Sequence, residues 1–200
     1  MFGQYDIGYL CELLFYERDH NGIHIIKECS TVDSRDSCRG NWQLTSAVSY
    51  LCHLAEIATP DGAHAPELYE LLADTLQRIA SSPARQWGSD NRPAVPDQEV
   101  DSLTQRASHI PPLLFWFELQ LLDLLGVPPQ IQRCTSCGCA TATELTAFSA
   151  RRGGAICKRC ESLASAAELE SLPGDVLAIL RRWQSAGTFD ALSTISYSDL

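Results

Sequence analysis

Short alternating runs of apolar and polar residues near the start of the chain predict two β-strands. The segments 9–16 and 23–29 are rich in leucine, isoleucine and aromatic residues, and the polar stretch 18–22 between them contains an Asn-Gly pair. This arrangement is typical of a β-hairpin. Because an isolated hairpin is only marginally stable in water, we expect both strands to need a further sheet or a helical layer over their apolar face.

After residue 40 the apolar positions recur with helical periodicity, which predicts two antiparallel helices. Asn41 can cap the first helix, and Pro66 lies at a favourable first-turn position of the second. The short break at 59–62 favours an antiparallel pair. The two apolar stripes consist of Leu44, Val48, Leu51 and Ala55, followed by Leu68, Leu72, Leu76 and Ile79.

Two further helices are predicted in the second half of the chain. The first begins after Pro111 and Pro112 and ends at Gly126, because glycine is a common C-terminal stop. It runs through Phe115, Phe117, Leu121 and Leu125. The second runs from Gly174 to about residue 187, with Val176, Ile179, Leu180 and Trp183 expected to face inward.

These elements predict a mainly α fold with an N-terminal β-hairpin in residues 1–35 and a helical domain in residues 41–187. A cysteine-rich ribbon at 133–161 is embedded in the helical domain. Residues 81–110, rich in proline, glycine and acidic side chains, are expected to form a flexible insertion, and residues 188–200 a polar tail.

Composition and charge describe an ordinary globular chain with an acidic balance. Of the 200 residues 45% are hydrophobic, and 15 basic against 25 acidic residues give a net charge of −10. We expect no signal peptide, and we expect no membrane helix because the most apolar run, 113–127, contains polar residues and is shorter than the ~20 residues needed. The acidic balance disfavours nonspecific binding to phosphates.

The nine cysteines divide into a dispersed group and a cluster. The dispersed group is Cys11, Cys29, Cys38 and Cys52, and the cluster is Cys134, Cys137, Cys139, Cys157 and Cys160. In a chain without an export signal, clustered thiolates usually bind a metal and scattered thiols behave as small apolar residues. Buried or redox-active thiols are the alternative interpretation of the cluster.

Cys134 with Cys137, and Cys157 with Cys160, form two Cys-x2-Cys pairs separated by 19 residues, a spacing typical of a four-thiolate zinc site. The sequence therefore predicts one structural Zn²⁺ bound by these four residues in a zinc ribbon. A catalytic site would include histidine or carboxylate, and no histidine follows His109. Cys139 could replace Cys137 as a ligand, but the tighter Cys-x2-Cys spacing is favoured.

The string LLDLLGVPPQIQRCTSCG at 121–138 resembles the signature of the RecO family, as do Phe148-Ser149, Gly153-Gly154 and the closing Cys157-Lys-Arg-Cys160. The resemblance implies a bacterial mediator of DNA repair and recombination located in the cytoplasm with the nucleoid, and no catalytic residues. Such a protein assists RecA loading on single-stranded DNA coated by single-strand-binding protein, acts with RecR and anneals complementary strands.

The family usually has about three more basic strands before the hairpin, which would complete an OB-type barrel. The hairpin is therefore expected to be the remnant of that barrel, and this chain is expected to bind single-stranded DNA weakly. Exposed basic residues around the ribbon are the candidate DNA contacts, namely Arg133, Arg151, Arg152, Lys158 and Arg159.

Two other functions are kept as alternatives to the mediator. One is a zinc-stapled helical adaptor that binds only proteins, in which the basic residues merely offset Glu144 and Glu161. The other is a thiol oxidoreductase that uses Cys157 and Cys160. Tight zinc binding would exclude it, because metal-bound thiolates are not free for thiol–disulfide exchange.

Overall fold

The computed structural model describes residues 5–17, 24–39, 41–60, 64–81, 110–140, 145–187 and 189. The chain divides into two units, residues 1–117 and 118–200. The predicted insertion at 81–110 and the predicted tail at 188–200 lie almost wholly outside the described residues. Across the described part of the chain, no helix combines the length and the apolar character that a membrane span requires.

The first unit begins with the predicted hairpin. Strand β1 (Leu10–Tyr16) pairs antiparallel with β2 (Ile25–Asp33), and Leu10 lies opposite Asp33. Strand β2 therefore extends four residues beyond the predicted end at Cys29, because the first residues of β1 need backbone partners. The predicted turn at 18–22 lies outside the described residues.

Large apolar side chains on both faces of this hairpin are exposed. Leu13 and Leu14 are consecutive in β1 and so point to opposite faces, and 49% and 51% of their surfaces are accessible. Phe15 and its cross-strand partner Ile26 are 50% and 59% accessible. Within the described residues these four side chains are therefore not packed into a core.

Buried Arg35 connects the base of the hairpin to the first helix. Its guanidinium donates to the Gly8 carbonyl, and its backbone N–H donates to Asp33 Oδ1 at 2.8 Å. Gly8 has a φ of +84° and lies so close to Val48 that an added Cβ would be 2.3 Å from Val48 Cγ1. Only glycine satisfies both the positive φ and this close approach.

Two amphipathic helices follow as predicted, α1 (Trp42–Ala58) and α2 (Pro66–Ser81). Asn41 Oδ1 accepts the N–H groups of Gln43 at 2.9 Å and Leu44 at 3.3 Å, which confirms the predicted cap. Both stripes are confirmed as inward-facing, although Leu72 is only half-buried. The buried members are Leu44, Val48, Leu51, Ala55, Leu68, Leu76 and Ile79.

Helix α3 (Ile110–Leu124) ends where the sequence predicts. Gly126 has a φ of +73°, its N–H donates to the Asp123 carbonyl, and the Val127 N–H donates to the Leu122 carbonyl, each at 2.9 Å. This pair of bonds is a Schellman motif, which glycine favours. Phe117 is fully buried, whereas 47% of the Phe115 surface is accessible.

Within its described residues, the second unit contains the end of α3, a small antiparallel sheet and two further α-helices. Strands β3 (Leu145–Ser149), β4 (Gly154–Cys157) and β5 (Glu170–Ser171) are arranged in the order β4-β3-β5. Helix α4 (Lys158–Glu161) continues directly from β4, and α5 (Gly174–Ser185) follows β5. Strand β5 has only two residues and no periodicity by which to recognise it in the sequence.

The inward face of α5 differs from the prediction at Val176. This residue is 39% accessible, whereas Leu177 is 1% accessible and belongs to the apolar core of the second unit. The reason is that polar residues share the inward face: Arg181 Nε donates to the Ile131 carbonyl at 2.9 Å, and Gln184 Nε2 donates to the Pro129 carbonyl at 2.8 Å. An apolar pattern alone cannot reveal a face that contains arginine and glutamine.

The burial of these adjacent residues predicts different effects of truncation. Leu177→Ala should lower the free energy of opening of α5 by about 2–5 kcal/mol, because it removes a buried side chain and leaves a cavity. Val176→Ala should change it by about 0.5 kcal/mol or less, since this position is exposed. Amide hydrogen exchange in peptides covering 174–185 would measure both, and equal effects would contradict the assigned face.

Candidate metal centre

Four cysteine sulfurs of the second unit lie close enough to share one metal ion. The Sγ atoms of Cys134, Cys137, Cys139 and Cys157 are all within 4.8 Å of one another. A tetrahedral ion with metal–sulfur bonds of about 2.3 Å requires sulfurs about 3.8 Å apart. Cys137 Sγ and Cys157 Sγ are 3.6 Å apart, so the donors present fit such an ion.

The first Cys-x2-Cys pair lies in a tight loop closed by backbone hydrogen bonds. The Gly138 N–H donates to the Cys134 carbonyl and the Cys134 N–H donates to the Cys139 carbonyl, both at 2.8 Å. Gly138 has a φ of +75°, which permits the chain to reverse here. The loop thereby brings the side chains of Cys134, Cys137 and Cys139 to one side of the backbone.

Backbone N–H groups aimed at the sulfurs of this loop favour the thiolate form. Burial alone would raise the pKa of Cys134, but N–H groups of Cys157, Cys137 and Ser136 donate to its sulfur and lower the pKa below its ordinary value. The N–H of Cys139, followed by the thiols of Cys157 and Cys160, lowers the pKa of Cys137 to about 6. Thiolate is the form of cysteine that binds metals.

Two thiols of the same cluster are shifted in the opposite direction. Burial, followed by the neighbouring sulfurs of Cys137 and Cys157, raises the pKa of Cys139 to about 12. A hydrogen bond with Cys137, followed by burial, raises the pKa of Cys160 to about 12. Negative charge on the first thiolates thus holds protons on the others, and a bound cation would displace these protons.

The predicted ligand Cys160 lies beside the group of four sulfurs. It is in helix α4, and Cys137, followed by burial and by the sulfurs of Cys157 and Cys134, raises the pKa of its thiol. The structure therefore brings three of the predicted ligands, Cys134, Cys137 and Cys157, within 4.8 Å of one another, and the fourth sulfur of this group is that of Cys139, which the sequence analysis considered only as a replacement for Cys137. The assignment of Cys134, Cys137, Cys157 and Cys160 as the ligands remains a prediction.

Backbone pairing between segment 130–135 and strand β4 places the two halves of the site together. The Gln130 N–H donates to the Gly153 carbonyl at 2.9 Å, and the Gln130 carbonyl accepts the Ala155 N–H at 2.8 Å. A Cβ added at Gly154 would lie 2.2 Å from the Gln130 oxygen. Sequence analysis noted Gly154 as part of the family resemblance and missed this close approach, for which the only signal was the glycine itself.

The sulfurs occupy one end of an apolar core. Cys134 and Cys157 are buried in a cluster that includes Ile131, Leu145 and Ile156, and Cys139 and Cys160 pack against it. Cys137 is exposed. The site is therefore anchored in the core on one side and open to solvent on the Cys137 side.

All five basic residues predicted to contact DNA are exposed in this unit, but three already have partners. Arg151 forms an ion pair with Glu168, Arg152 Nη1 donates to Ser136 Oγ at 2.6 Å, and Arg159 hydrogen-bonds with Cys137, which raises the pKa of the guanidinium. Arg133 and Lys158 have no ion pair among the residues that the structure describes.

Comparison with known proteins gives consistent matches. The family model described as "Recombination protein O C terminal" matches residues 39–90 and 100–199. The chain is 27% identical over 173 residues to the "DNA repair protein RecO" of Pelotomaculum thermopropionicum, covering 86% of this chain and 57% of that protein. The protein of the same description from Dehalococcoides mccartyi is 25% identical, and the match covers 70% of this chain and 46% of that protein. The one from Roseiflexus sp. is 27% identical, and the match covers 69% of this chain and 40% of that protein. The chain thus spans about half the length of these curated relatives.

Removal of one buried sulfur should abolish metal binding. We expect the wild-type chain to carry one zinc ion and Cys157→Ser to lose it, because a structural zinc site contributes about 10–16 kcal/mol through all of its thiolates together. Cys52→Ser, a change outside the cluster, should retain the metal. Elemental analysis of the purified proteins would measure the zinc per chain, and full retention in Cys157→Ser would disprove the assignment.

A side chain added at Gly154, where the Gln130 backbone approaches closely, should lower the zinc affinity of the site without changing any sulfur. Gly154→Ala forces the Gln130 backbone away from β4, and we expect the zinc affinity to fall at least about tenfold, equivalent to about 1.4 kcal/mol. Gly174→Ala is the matched control, since an added Cβ there meets open space. Competition with a chromophoric chelator would measure both affinities, and unchanged affinity in Gly154→Ala would show that the pairing does not position the site.

Proposed function

The chain belongs to the RecO family, and from that premise we propose that it acts in DNA repair and recombination as a mediator rather than as an enzyme. The observation that carries the proposal is the match of the family model to most of the chain, including the helices and the cysteine cluster. The descriptions of the matched relatives name a DNA repair protein. In finer terms, we propose that the chain assists RecA loading on single-stranded DNA coated by single-strand-binding protein, acts with a RecR-type partner, and promotes strand annealing.

We propose that the metal is a single structural Zn²⁺ bound by Cys134, Cys137, Cys157 and Cys160. The support is chemical: the close donors are all sulfurs, and zinc is the usual ion of tetrahedral four-thiolate sites. When bound, the ion would hold the loop 134–139 (the knuckle loop), the end of β4 and helix α4 together. Its role in this proposal is to stabilise the fold of the second unit.

We further propose that the basic residues around the metal centre contact the phosphates of single-stranded DNA. Residues 130–161 contain five basic and two acidic side chains, in contrast to the acidic balance of the whole chain. The strongest candidates are Arg133 and Lys158, which are exposed and have no ion pair within the described segments. Arg151, Arg152 and Arg159 would have to exchange their present partners for phosphates.

One observation favours the second candidate, an adaptor that binds proteins but not DNA. Arg159 contacts the Cys137 sulfur, and Arg151 pairs with Glu168, so these cations already neutralise nearby negative charge. If Arg133 and Lys158 also neutralise the negative charge of the thiolates, no positive surface remains for phosphates. The two candidates therefore differ in salt-dependent DNA binding.

A salt titration of single-stranded DNA affinity would distinguish them. Each phosphate contact contributes about 0.7 to the slope of log affinity against log salt, so Arg133→Ala with Lys158→Ala should flatten the slope by about 1.4. Arg39→Ala with Arg78→Ala is the matched control in the first unit, because it removes the same two charges from cations that pair with Asp36 and Asp74.

We expect weak binding by this chain at physiological salt, and tighter binding and strand annealing by the Pelotomaculum thermopropionicum relative measured side by side. The absence of binding by this chain even at low salt would contradict the DNA-contact proposal and support the adaptor. An unchanged slope in the double variant would show that DNA binds elsewhere.

A further inference from the structure

The cysteine cluster contains one more sulfur than a tetrahedral ion can bind. We propose that Cys139 is an alternative fourth ligand, which exchanges with Cys160 on an ion held by Cys134, Cys137 and Cys157. The inference rests on the metal centre proposed above and specifies how its fourth position is filled. It assigns a binding role to a residue that the sequence pattern left as a spare.

The position of Cys139 supports a direct role at the ion. Its sulfur is one of the four that lie within 4.8 Å of one another. Its backbone is fixed in the knuckle loop, because its carbonyl accepts the Cys134 N–H and its N–H donates to the Cys137 sulfur. The side chain therefore needs no movement of the main chain to reach the ion.

The position of Cys160 also supports a role as a ligand of the ion. It lies in the first turn of α4, which begins directly after Cys157 at the end of β4. Both Cys139 and Cys160 are half-buried against the same core cluster. Since structural zinc takes four ligands, only one of them completes the tetrahedron at a time.

Exchange between the two thiols conserves atoms and charge. The incoming thiol forms a sulfur–metal bond and releases its proton, while the departing thiolate breaks its bond to the metal and takes up a proton. The ion stays bound to four thiolates, and the cluster retains one protonated thiol throughout. The consequence is a site that retains its metal when either thiol is lost.

Serine variants test the exchange through zinc content and affinity. Cys139→Ser and Cys160→Ser should each retain one zinc per chain with an affinity within about tenfold of wild type, whereas the double variant should bind at least about a hundredfold more weakly. In the cobalt-substituted protein, the sulfur-to-metal charge-transfer band should keep its four-thiolate intensity in both single variants and lose intensity in the double variant. Cys52→Ser is the control for changes outside the cluster.

The outcomes separate this inference from the proposed metal centre. Loss of zinc in either single variant, with the wild type and Cys52→Ser loaded, would overturn the exchange and leave an ordinary four-cysteine site. Tight binding by the double variant would overturn it as well. A wild-type chain without bound metal would instead refute the metal centre itself.

Discussion

The second unit depends on one close approach, between the Gln130 backbone and strand β4 at Gly154. Because glycine has no side chain there, segment 130–135 pairs with β4 through Gln130, Ala155 and Thr135. This pairing places Cys134, early in the loop, beside Cys157, at the end of the strand. The relative position of these two cysteines in the candidate metal centre follows from that contact.

The negative charge of the cysteine thiolates and the positive charge of the basic side chains around them stabilise each other. Four thiolates around a divalent cation leave a net charge of about −2, which favours nearby arginine and lysine. Arg159 contacts Cys137 directly, so at least one cation stabilises the site itself. The local excess of basic residues in an acidic chain therefore has two physical explanations, and only cations without a structural partner remain available to a phosphate.

Features with a local signal could be predicted from the sequence. The Asn41 cap, the Gly126 stop and the grouping of the cysteines each depend on residues close together in the chain, and the structure contains all three. Val176 was misassigned because Arg181 and Gln184 occupy the inward face of α5 and hydrogen-bond to segment 129–131. Likewise, Cys139 lies among the four close sulfurs because backbone hydrogen bonds close its loop, which residue spacing does not show.

Metal binding and the arrangement of the basic side chains should be coupled. Arg133 precedes Cys134, and Lys158 and Arg159 lie between Cys157 and Cys160, so the cations are attached to the same short segments as the sulfurs. Loss of the ion would remove the sulfur–metal bonds between these segments and loosen the arrangement of their charges, since the binding free energy of such a site is also folding free energy. Single-stranded DNA binding through these residues should therefore require bound metal, and addition of a chelator should weaken it together with the fold of the second unit. A DNA affinity that is insensitive to chelation would place the DNA contacts away from residues 133–160.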